Sequence, residues 1–395
     1  MRGFFRKVVG NPPMPDQDPC SSGPVRERGE RPGGKASFCC GDSEPSRVET
    51  PFHDRFVDGM VDTPAGPVPR ARVTIGARDV LGRWSMRWGM GRNRYRVAPG
   101  LYAVGDPDQH SVILVTANYK MTFDALRREL TGLNVWILVL DTRGVNVWCA
   151  AGKGTFGTEE VVRRVKAAML EEVVSHRRLI LPQLGGPGVS AHQVTKGCGF
   201  QVVYGPVHAR DIKAFLAAGM RATPRMRQVV FPLRERLALA PVELVGLFKP
   251  AGWLSLVLFL LAGIGPGFFS IGAAWHRGLA AAEVLAGGIL GGAVLTPVLL
   301  PWLPGRAFSA KGALAGGILA VCSAALYRDA LGAFQALALL LALPVISSFV
   351  AMNFTGATPF TSPSGVEKEM RQALPVQAAL TALAGIFWVG GAFLR

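Results

Sequence analysis

The pattern of apolar positions divides the chain into two unlike parts. After residue 250, apolar runs recur at about the 20-residue length that an α-helix needs to cross a bilayer. They predict five spans: Ala251 to Ala274, Leu279 to Trp302, Ser309 to Tyr327, Leu331 to Met352 and Leu374 to Leu394. Only 11 of the Asp, Glu, Lys and Arg residues lie in this part, too few to form the surface of a soluble domain. We therefore favour a membrane domain over a set of buried core helices.

Before these spans, short apolar runs alternate with amphipathic segments. Predicted buried strands are SVILVTANY, NVWILVLD, LILPQLG and FQVVYG, and predicted helices are TFDALRRELTG, TEEVVRRVKAAMLEEVV and HARDIKAFLAAG. Continuous apolar strands separated by helices indicate a mostly parallel sheet with helices on both faces. The predicted fold is a Rossmann-like α/β domain at residues 70–240, followed by an all-α transmembrane domain at residues 241–395.

Residues 1–69 show neither pattern. They are rich in Pro, Gly, Ser and charge, and we predict a disordered leader there. Cys20, Cys39 and Cys40 lie in this leader without the spacing of a zinc site. The three thiols leave two interpretations open, an ordinary flexible tail or a segment that collects a soft metal ion.

The net charge of +16 bears on partners and on orientation. The basic residues are spread along the soluble part without a nucleic-acid-binding motif, so we expect anionic membrane lipid, and no nucleic acid, to attract them. Near the span ends, Lys and Arg are concentrated on one side: Arg221, Arg225, Arg227, Arg234, Arg236, Lys249, Arg306, Lys311, Lys368 and Arg371. The opposite side holds only Arg277, Arg328 and Arg395. The positive-inside rule therefore predicts a cytoplasmic soluble domain and an external C-terminus.

The stretch NVWCAAGKGTFG follows the predicted strand NVWILVLD, where α/β sheets bind ligands. It fits neither a phosphate-binding loop nor a dinucleotide fingerprint. Asn146 can cap a short helix that Gly152 and its neighbours end, with Cys149 either presented outward or packed as a small hydrophobe. Cys198 and Cys322 are predicted to pack. His110, His176, His192 and His208 lack metal-ligand spacing and are predicted as surface or loop residues.

The eight residues NVWCAAGK, Asn146 to Lys153, match in full the signature of the mercury-methylating corrinoid protein (HgcA) family. The chain also resembles that family in its order of domains, an α/β domain followed by about five membrane helices. The resemblance covers roughly Arg70 to Arg395. It implies that Cys149 is the lower axial ligand of a cobalt corrinoid of the cobalamin type. The cofactor-binding residues that it implies are Asn146, Val147, Trp148, Cys149, Ala150, Ala151, Gly152 and Lys153.

The resemblance assigns finer roles around Cys149. Asn146 is expected to cap the helix, Trp148 to pack it, and Gly152 to let the backbone approach the corrin ring. Lys153 is expected either to meet a corrin amide or to face water. The later loop PQLGGPG is either a second wall of the corrin site or an ordinary glycine-rich turn.

The function that the resemblance implies is that of a corrinoid-dependent methyltransferase in the cytoplasmic membrane, which transfers a methyl group from cobalt to Hg(II) and forms methylmercury. A thiolate below cobalt suits this electrophilic acceptor, because it donates electron density toward the methyl group. Implied partners are a ferredoxin-like reductant with two 4Fe–4S clusters and a methyltetrahydrofolate-linked methyl donor. Two alternatives stay open: a membrane-bound corrinoid methyl carrier of one-carbon (acetyl-CoA pathway) metabolism, and a non-enzymatic membrane transport or anchoring protein with a ligand-binding domain.

The charge asymmetry makes the topology testable. A reporter fused after Arg395 is expected to lie outside the cytoplasm, and one inserted near Ser364 inside it. Paired alkaline phosphatase and green fluorescent protein fusions, which are active on opposite sides of the membrane, measure both positions. The opposite pattern of activity at either position would contradict the span count or the orientation.

Overall fold

The computed structural model describes residues 56–91, 94–327, 332–354 and 363–393. Within these residues the α/β part is built on one sheet of seven strands. The strands are β1 (Val57–Thr63), β2 (Gly66–Ala71), β3 (Gly100–Val104), β4 (Ile113–Ala117), β5 (Val135–Leu140), β6 (Arg178–Leu181) and β7 (Gln201–Tyr204). The helices are α1 (Ala77–Arg87), α2 (Lys120–Arg127), α3 (Val147–Gly152), α4 (Thr158–Ala167), α5 (Leu170–Val173), α6 (Ala191–Cys198) and α7 (Ile212–Ala217).

The order of the strands shows where the chain reverses its direction of winding along the sheet. The sheet runs β1-β2-β3-β5-β4-β6-β7, and β5, β4, β6 and β7 are mutually parallel. The chain passes from β4 to β5 on one side and then to β6 on the other, so the direction of winding reverses beside β4. In open α/β sheets, the crevice beyond the carboxyl ends of the strands at such a reversal is where ligands bind. The predicted Rossmann-like fold is confirmed.

Both faces of the sheet are covered by apolar packing. On one face Trp136, Leu138 and Leu140 pack with residues of α3, α4 and α6, such as Ala150 and Val161. The other face buries Ile137 and Val139 against side chains of α2 and α7, such as Phe123 and Phe215. Burial on both faces explains why β4 and β5 are apolar at nearly every position.

The amino-terminal half of the sheet was missed by the sequence patterns. The predicted end of the leader at residue 69 is wrong, because it falls inside β2, and the hairpin of β1 and β2 adds two strands to the sheet. Side chains of β1 alternate between half-buried and exposed, which gives a weak apolar signal. The part of the leader before residue 56, with Cys20, Cys39 and Cys40, lies outside the described residues.

The structure also differs from the predicted helices at two places. The predicted helix from Thr158 is two helices, α4 and α5, separated at Met169, whose φ of 43° is left-handed and ends the first helix. The helix α6 was not predicted, since its polar sequence AHQVTKGC lacks an apolar stripe and buries only Val194.

A buried cluster of four charged side chains attaches α1 to the rest of the domain. Lys120 Nζ lies 2.8 Å from carboxylate oxygens of both Asp79 and Asp124. Arg127 binds the same two carboxylates at 2.8 and 2.7 Å and donates to Thr74 O at 2.9 Å. Burial acts to raise the pKa of Asp79, but the hydrogen bond from Lys120 and the charges of Lys120 and Arg127 hold it below its usual value. Each charge is therefore compensated where water is excluded.

Within the described residues, five helical spans after the α/β part are long and apolar enough to cross a membrane, as predicted. They are built from seven helices, of which α8 and α9 together form the first span: α8 (Leu233–Leu237), α9 (Ala240–Ala262), α10 (Ile271–Leu290), α11 (Thr296–Leu299), α12 (Phe308–Leu326), α13 (Ala333–Met352) and α14 (Pro363–Gly390). A π-helical turn, Gly291–Leu295, joins α10 to α11, which makes them one span.

The first predicted span is displaced. The helix α9 ends at Ala262, and the apolar residues that follow form a small hairpin of β8 (Ile264–Gly265) and β9 (Phe268–Phe269). Hydropathy cannot separate such a hairpin from a helix, because its side chains are equally apolar. Pro266 and the glycines beside it are the local reason that the helix stops.

The contact between α12 and α13 depends on glycine. A Cβ added to Gly316 would lie 2.6 Å from Leu343 O and 2.8 Å from Pro344 Cα. Gly312 is equally close to Ser347 O, at 2.6 Å. All three atoms belong to the backbone of α13, so the two helices approach too closely for any side chain at these positions.

Gly316 and Gly317 form a matched pair for testing this contact. Gly316→Ala is expected to destabilise the protein by roughly 1–3 kcal/mol, because the new methyl group meets backbone that must move. Gly317→Ala is expected to be neutral or mildly stabilising, since no atom lies within 4 Å of an added Cβ. Thermal unfolding in detergent measures both, and equal melting temperatures for the two variants would contradict the close contact.

Candidate functional site

The helix α3 carries the cysteine of the signature at the carboxyl edge of the sheet. The side chain of Asn146 accepts a hydrogen bond from Cys149 N at 2.9 Å and caps the helix, as the sequence predicts. Val147, Ala150 and Ala151 are buried and fasten the helix to the core. Cys149 is a free, partly exposed thiol. The helix thus presents its cysteine at the surface instead of burying it.

Trp148 and Gly152 both lie at the surface of α3. Trp148 is 40% exposed, so part of its side chain faces outward next to Cys149 in the helix. No atom lies within 4 Å of a Cβ added to Gly152, whereas Gly154 has a φ of +77° that favours glycine. Gly154 is therefore the glycine that the turn after α3 requires. Lys153 is exposed and ends the helix.

The segment between β5 and α3 is held by Asn118, a residue that the sequence patterns did not indicate. Its Oδ1 accepts hydrogen bonds from Thr142 N at 3.1 Å and Gly144 N at 2.9 Å. The hydroxyl of Thr142 lies 2.8 Å from the same oxygen and 2.6 Å from Val145 O, and its one hydrogen serves either acceptor. Asn118 Nδ2 donates to Asp141 at 3.0 Å. A polar residue directly after the buried strand β4 was the only sequence signal for this role.

The loop PQLGGPG packs directly against α3. A Cβ added to Gly188 would lie 3.0 Å from Ala151 Cα, and one added to Gly185 would lie 2.5 Å from the ring of Phe156. Glycine lets the loop after β6 approach the helix after β5. The two segments therefore lie side by side across the carboxyl end of β4, where the winding direction reverses.

Two buried polar atoms at this edge have no hydrogen-bond partner in the described part of the chain. They are Gln183 Oε1, in the loop after β6, and His208 Nε2, in the loop after β7. The two loops are joined by a long hydrogen bond from Gln183 N to Pro206 O, at 3.5 Å. Buried polar groups normally have hydrogen-bond partners. A ligand that carries hydrogen-bonding groups and binds at this edge would supply partners for these two atoms. His208, which the sequence predicts to be a surface or loop residue, is half-buried in a loop at this edge.

A cobalt corrinoid fits these residues. Its ring is broad and carries carboxamide arms that donate and accept hydrogen bonds, which suits an open surface with orphaned polar atoms at its side. A partly exposed cysteine would offer such a cofactor a sulfur ligand of the soft type. Among the described residues no group of three or more His, Cys, Asp and Glu side chains could hold a metal ion by itself. Cys198 is partly buried, which raises the pKa of its thiol, and Cys322 is exposed on α12.

Comparison with known proteins finds similarity over the α/β part. Residues 89–216 match the family described as CO dehydrogenase/acetyl-CoA synthase delta subunit. Subunit gamma of the acetyl-CoA decarbonylase/synthase complex is 32% identical over 127 residues in Methanopyrus kandleri and again in Archaeoglobus fulgidus. The corrinoid/iron-sulfur protein large subunit of Moorella thermoacetica is 28% identical over 127 residues.

These matches are partial on both sides. Each covers 32% of this chain and 27% or 28% of the relative, so the chain spans little more than a quarter of the relatives it matches. The matched residues run from just after α1 into α7 and include β4, β5, α3 and the loop after β6. One of these relatives is named as a corrinoid protein, and the family match covers the candidate site. The membrane helices lie outside the match.

Removal of the cap tests the geometry of α3. Asn146→Ala is expected to cost about 1 kcal/mol of local stability, because the amide of Cys149 loses its acceptor. Hydrogen exchange at that amide should accelerate roughly fivefold, while exchange in β4 and β5 stays unchanged. Asn146→Asp is the control, since aspartate caps equally well. Unchanged exchange in the alanine variant would show that the cap does not hold the helix.

Proposed function

We propose that the protein is a membrane-anchored, corrinoid-dependent methyl-transfer protein in which Cys149 is the lower ligand of cobalt. The observation that carries the proposal is the position of Cys149, partly exposed on a capped helix at the carboxyl edge of a doubly wound sheet. That edge lies within the segment similar to a corrinoid/iron-sulfur protein. The five apolar helices after this domain supply the membrane anchor.

Each part of the site has a task in holding the cofactor. Cys149 would bind cobalt, and Asn146 fixes the helix that carries it. Gln183 and His208 would bind carboxamide arms of the corrin, which would give their buried polar atoms the partners that they lack. Trp148 provides an apolar surface beside the sulfur. When bound, the corrinoid supplies the transferable methyl group, and the sulfur ligand tunes the metal that carries it.

The methyl acceptor separates two candidate functions. The names of the relatives favour a methyl carrier of one-carbon metabolism that serves an acetyl-CoA synthase. The signature NVWCAAGK, together with membrane helices that lie outside the match to those relatives, favours membership in the mercury-methylating corrinoid family and Hg(II) as acceptor. We propose Hg(II) on the strength of this eight-residue signature. The same family resemblance supplies the proposed ferredoxin-like reductant and methyltetrahydrofolate-linked donor.

Substitution of Cys149 tests its proposed role. Cys149→Ala is expected to leave folding nearly intact, because the side chain is partly exposed, but to shift the absorption spectrum of the corrinoid protein and abolish methyl transfer. Cys149→His should shift the spectrum differently, since imidazole also binds cobalt but donates less charge. A matched control is Cys198→Ala, expected to keep the wild-type spectrum. If both Cys149 variants had the wild-type spectrum and the wild-type activity, Cys149 would not be the cobalt ligand and would instead be a packing residue.

The acceptor is tested with one methylated preparation divided between two reactions. One portion receives Hg(II) and the other receives an acetyl-CoA synthase with CO and coenzyme A. Faster formation of methylmercury supports the mercury-methylating function. Faster formation of acetyl-CoA, with only slow loss of the methyl group to Hg(II), supports the one-carbon carrier. If the purified protein showed no corrinoid absorption at all, a transport or anchoring protein would be favoured instead.

A further inference from the structure

The outer face of α1 exposes large apolar side chains. Leu81 is 65% exposed, Trp84 52% and Trp88, which follows the helix, 44%. Their spacing of three and four places them on one side, where neighbours on a helix meet. The opposite side holds Asp79, which joins the buried ion cluster, and the buried Met86. The helix is therefore fixed to the domain by a polar face and turns its apolar stripe outward, the reverse of an ordinary surface helix.

This stripe lies beside the first membrane span. A Cβ added to Gly89, just after α1, would lie 3.7 Å from Val245 Cγ1 on α9. Val245 is about 26 Å along the helix from Ala262, at the usual rise of 1.5 Å per residue. The hydrocarbon core of a bilayer is about 30 Å thick. When α9 crosses the bilayer with Ala262 near the far boundary of the hydrocarbon core, Val245 lies near the boundary that faces the α/β domain. The end of α1, which is next to Val245, lies there too.

The charge around the stripe suits an anionic lipid surface. Arg78 and Arg87 lie on α1 at the two sides of the stripe, and Arg94 follows soon after. The only acidic residue of the helix is Asp79, and Lys120 and Arg127 neutralise it. Tryptophan and leucine on one face with arginines at the flanks is the composition of a helix that lies in the plane of a membrane interface.

We infer that α1 is an interfacial helix that rests on anionic lipid through Leu81, Trp84 and Trp88 and clamps the α/β domain to the bilayer. A single tether through α9 would leave the domain free to rotate, whereas a second contact fixes its orientation. The segment after α1 returns to the carboxyl edge of the sheet, where Arg96 forms a β-bridge with Tyr119, the second residue after β4. The clamp therefore holds the edge that carries α3 near the membrane surface. This inference stands independently of the methyl acceptor and of the cofactor.

A photoreactive side chain tests what covers the stripe. Trp84→p-benzoylphenylalanine in the full-length protein, reconstituted in nanodiscs of phosphatidylcholine and phosphatidylglycerol, is expected to form covalent lipid adducts on illumination. The matched control is Met169→p-benzoylphenylalanine, an exposed apolar position that follows α4 on the other face of the sheet. Mass spectrometry should find severalfold more lipid adduct at position 84 than at position 169.

Each other outcome overturns a stated part of the inference. Equal lipid adducts at the two positions, or cross-links from position 84 to residues 1–55, to a second copy or to another protein in place of lipid, would overturn the lipid contact. The role of charge is tested in nanodiscs of phosphatidylcholine alone and with Arg78→Glu, each expected to lower the adduct yield at position 84 severalfold. Unchanged yields in both would overturn the preference for anionic lipid. Melting temperatures check that the variants are folded.

Discussion

The side-chain amide of Asn118 fixes the position of the cysteine-bearing helix. Its oxygen gathers the backbone of Thr142 and Gly144, and its nitrogen binds Asp141, so the segment after β5 is tied to the end of β4. These hydrogen bonds of Asn118 are buried, and leaving one of them unmade lowers the free energy of unfolding by about 1–3 kcal/mol. The cap at Asn146 and the close approach of Gly188 to Ala151 act only on a helix that this segment has already placed. The candidate site therefore depends on Asn118, which follows β4, whereas its cysteine lies on the helix that follows β5.

The protein uses its charges for two different purposes. Inside the α/β part, Lys120 and Arg127 are buried with Asp79 and Asp124, where each charge is needed to compensate another. Removal of one partner from such a cluster leaves an unpaired buried charge and destabilises a protein strongly. Arg78 and Arg87 flank the apolar stripe of α1, and Arg221, Arg225 and Arg227 precede the first span, where the surface of an anionic membrane would attract them. The net charge of +16 does not by itself distinguish the buried charged residues from the arginines near the membrane.

Similarity to subunits of acetyl-CoA decarbonylase/synthase complexes ends where the membrane part begins. The matched residues 89–216 supply the doubly wound sheet from β3 onward and the edge at which α3 lies. The membrane helices follow a different physical rule, since α12 and α13 associate through glycines that admit backbone contact. The segment similar to these relatives thus holds the candidate site, and the apolar helices lie outside it.

The sequence by itself determined the elements whose signal is local. Five apolar runs predicted helices long enough to cross a membrane, and apolar strands between helices predicted a mostly parallel sheet. The position of Asn146 before a short helix predicted that it caps this helix. Only the tertiary structure decided that Asn118, Gln183 and His208 share an edge with Cys149, because strands distant in sequence meet there. It also decided the exposure of Trp148 and the outward stripe of α1, since a hydropathy pattern cannot tell an apolar face that packs on the core from one that is left outside. The hairpin of β1 and β2 was likewise invisible in the sequence, because its stability comes from pairing with a sheet whose nearest strand begins about 30 residues later.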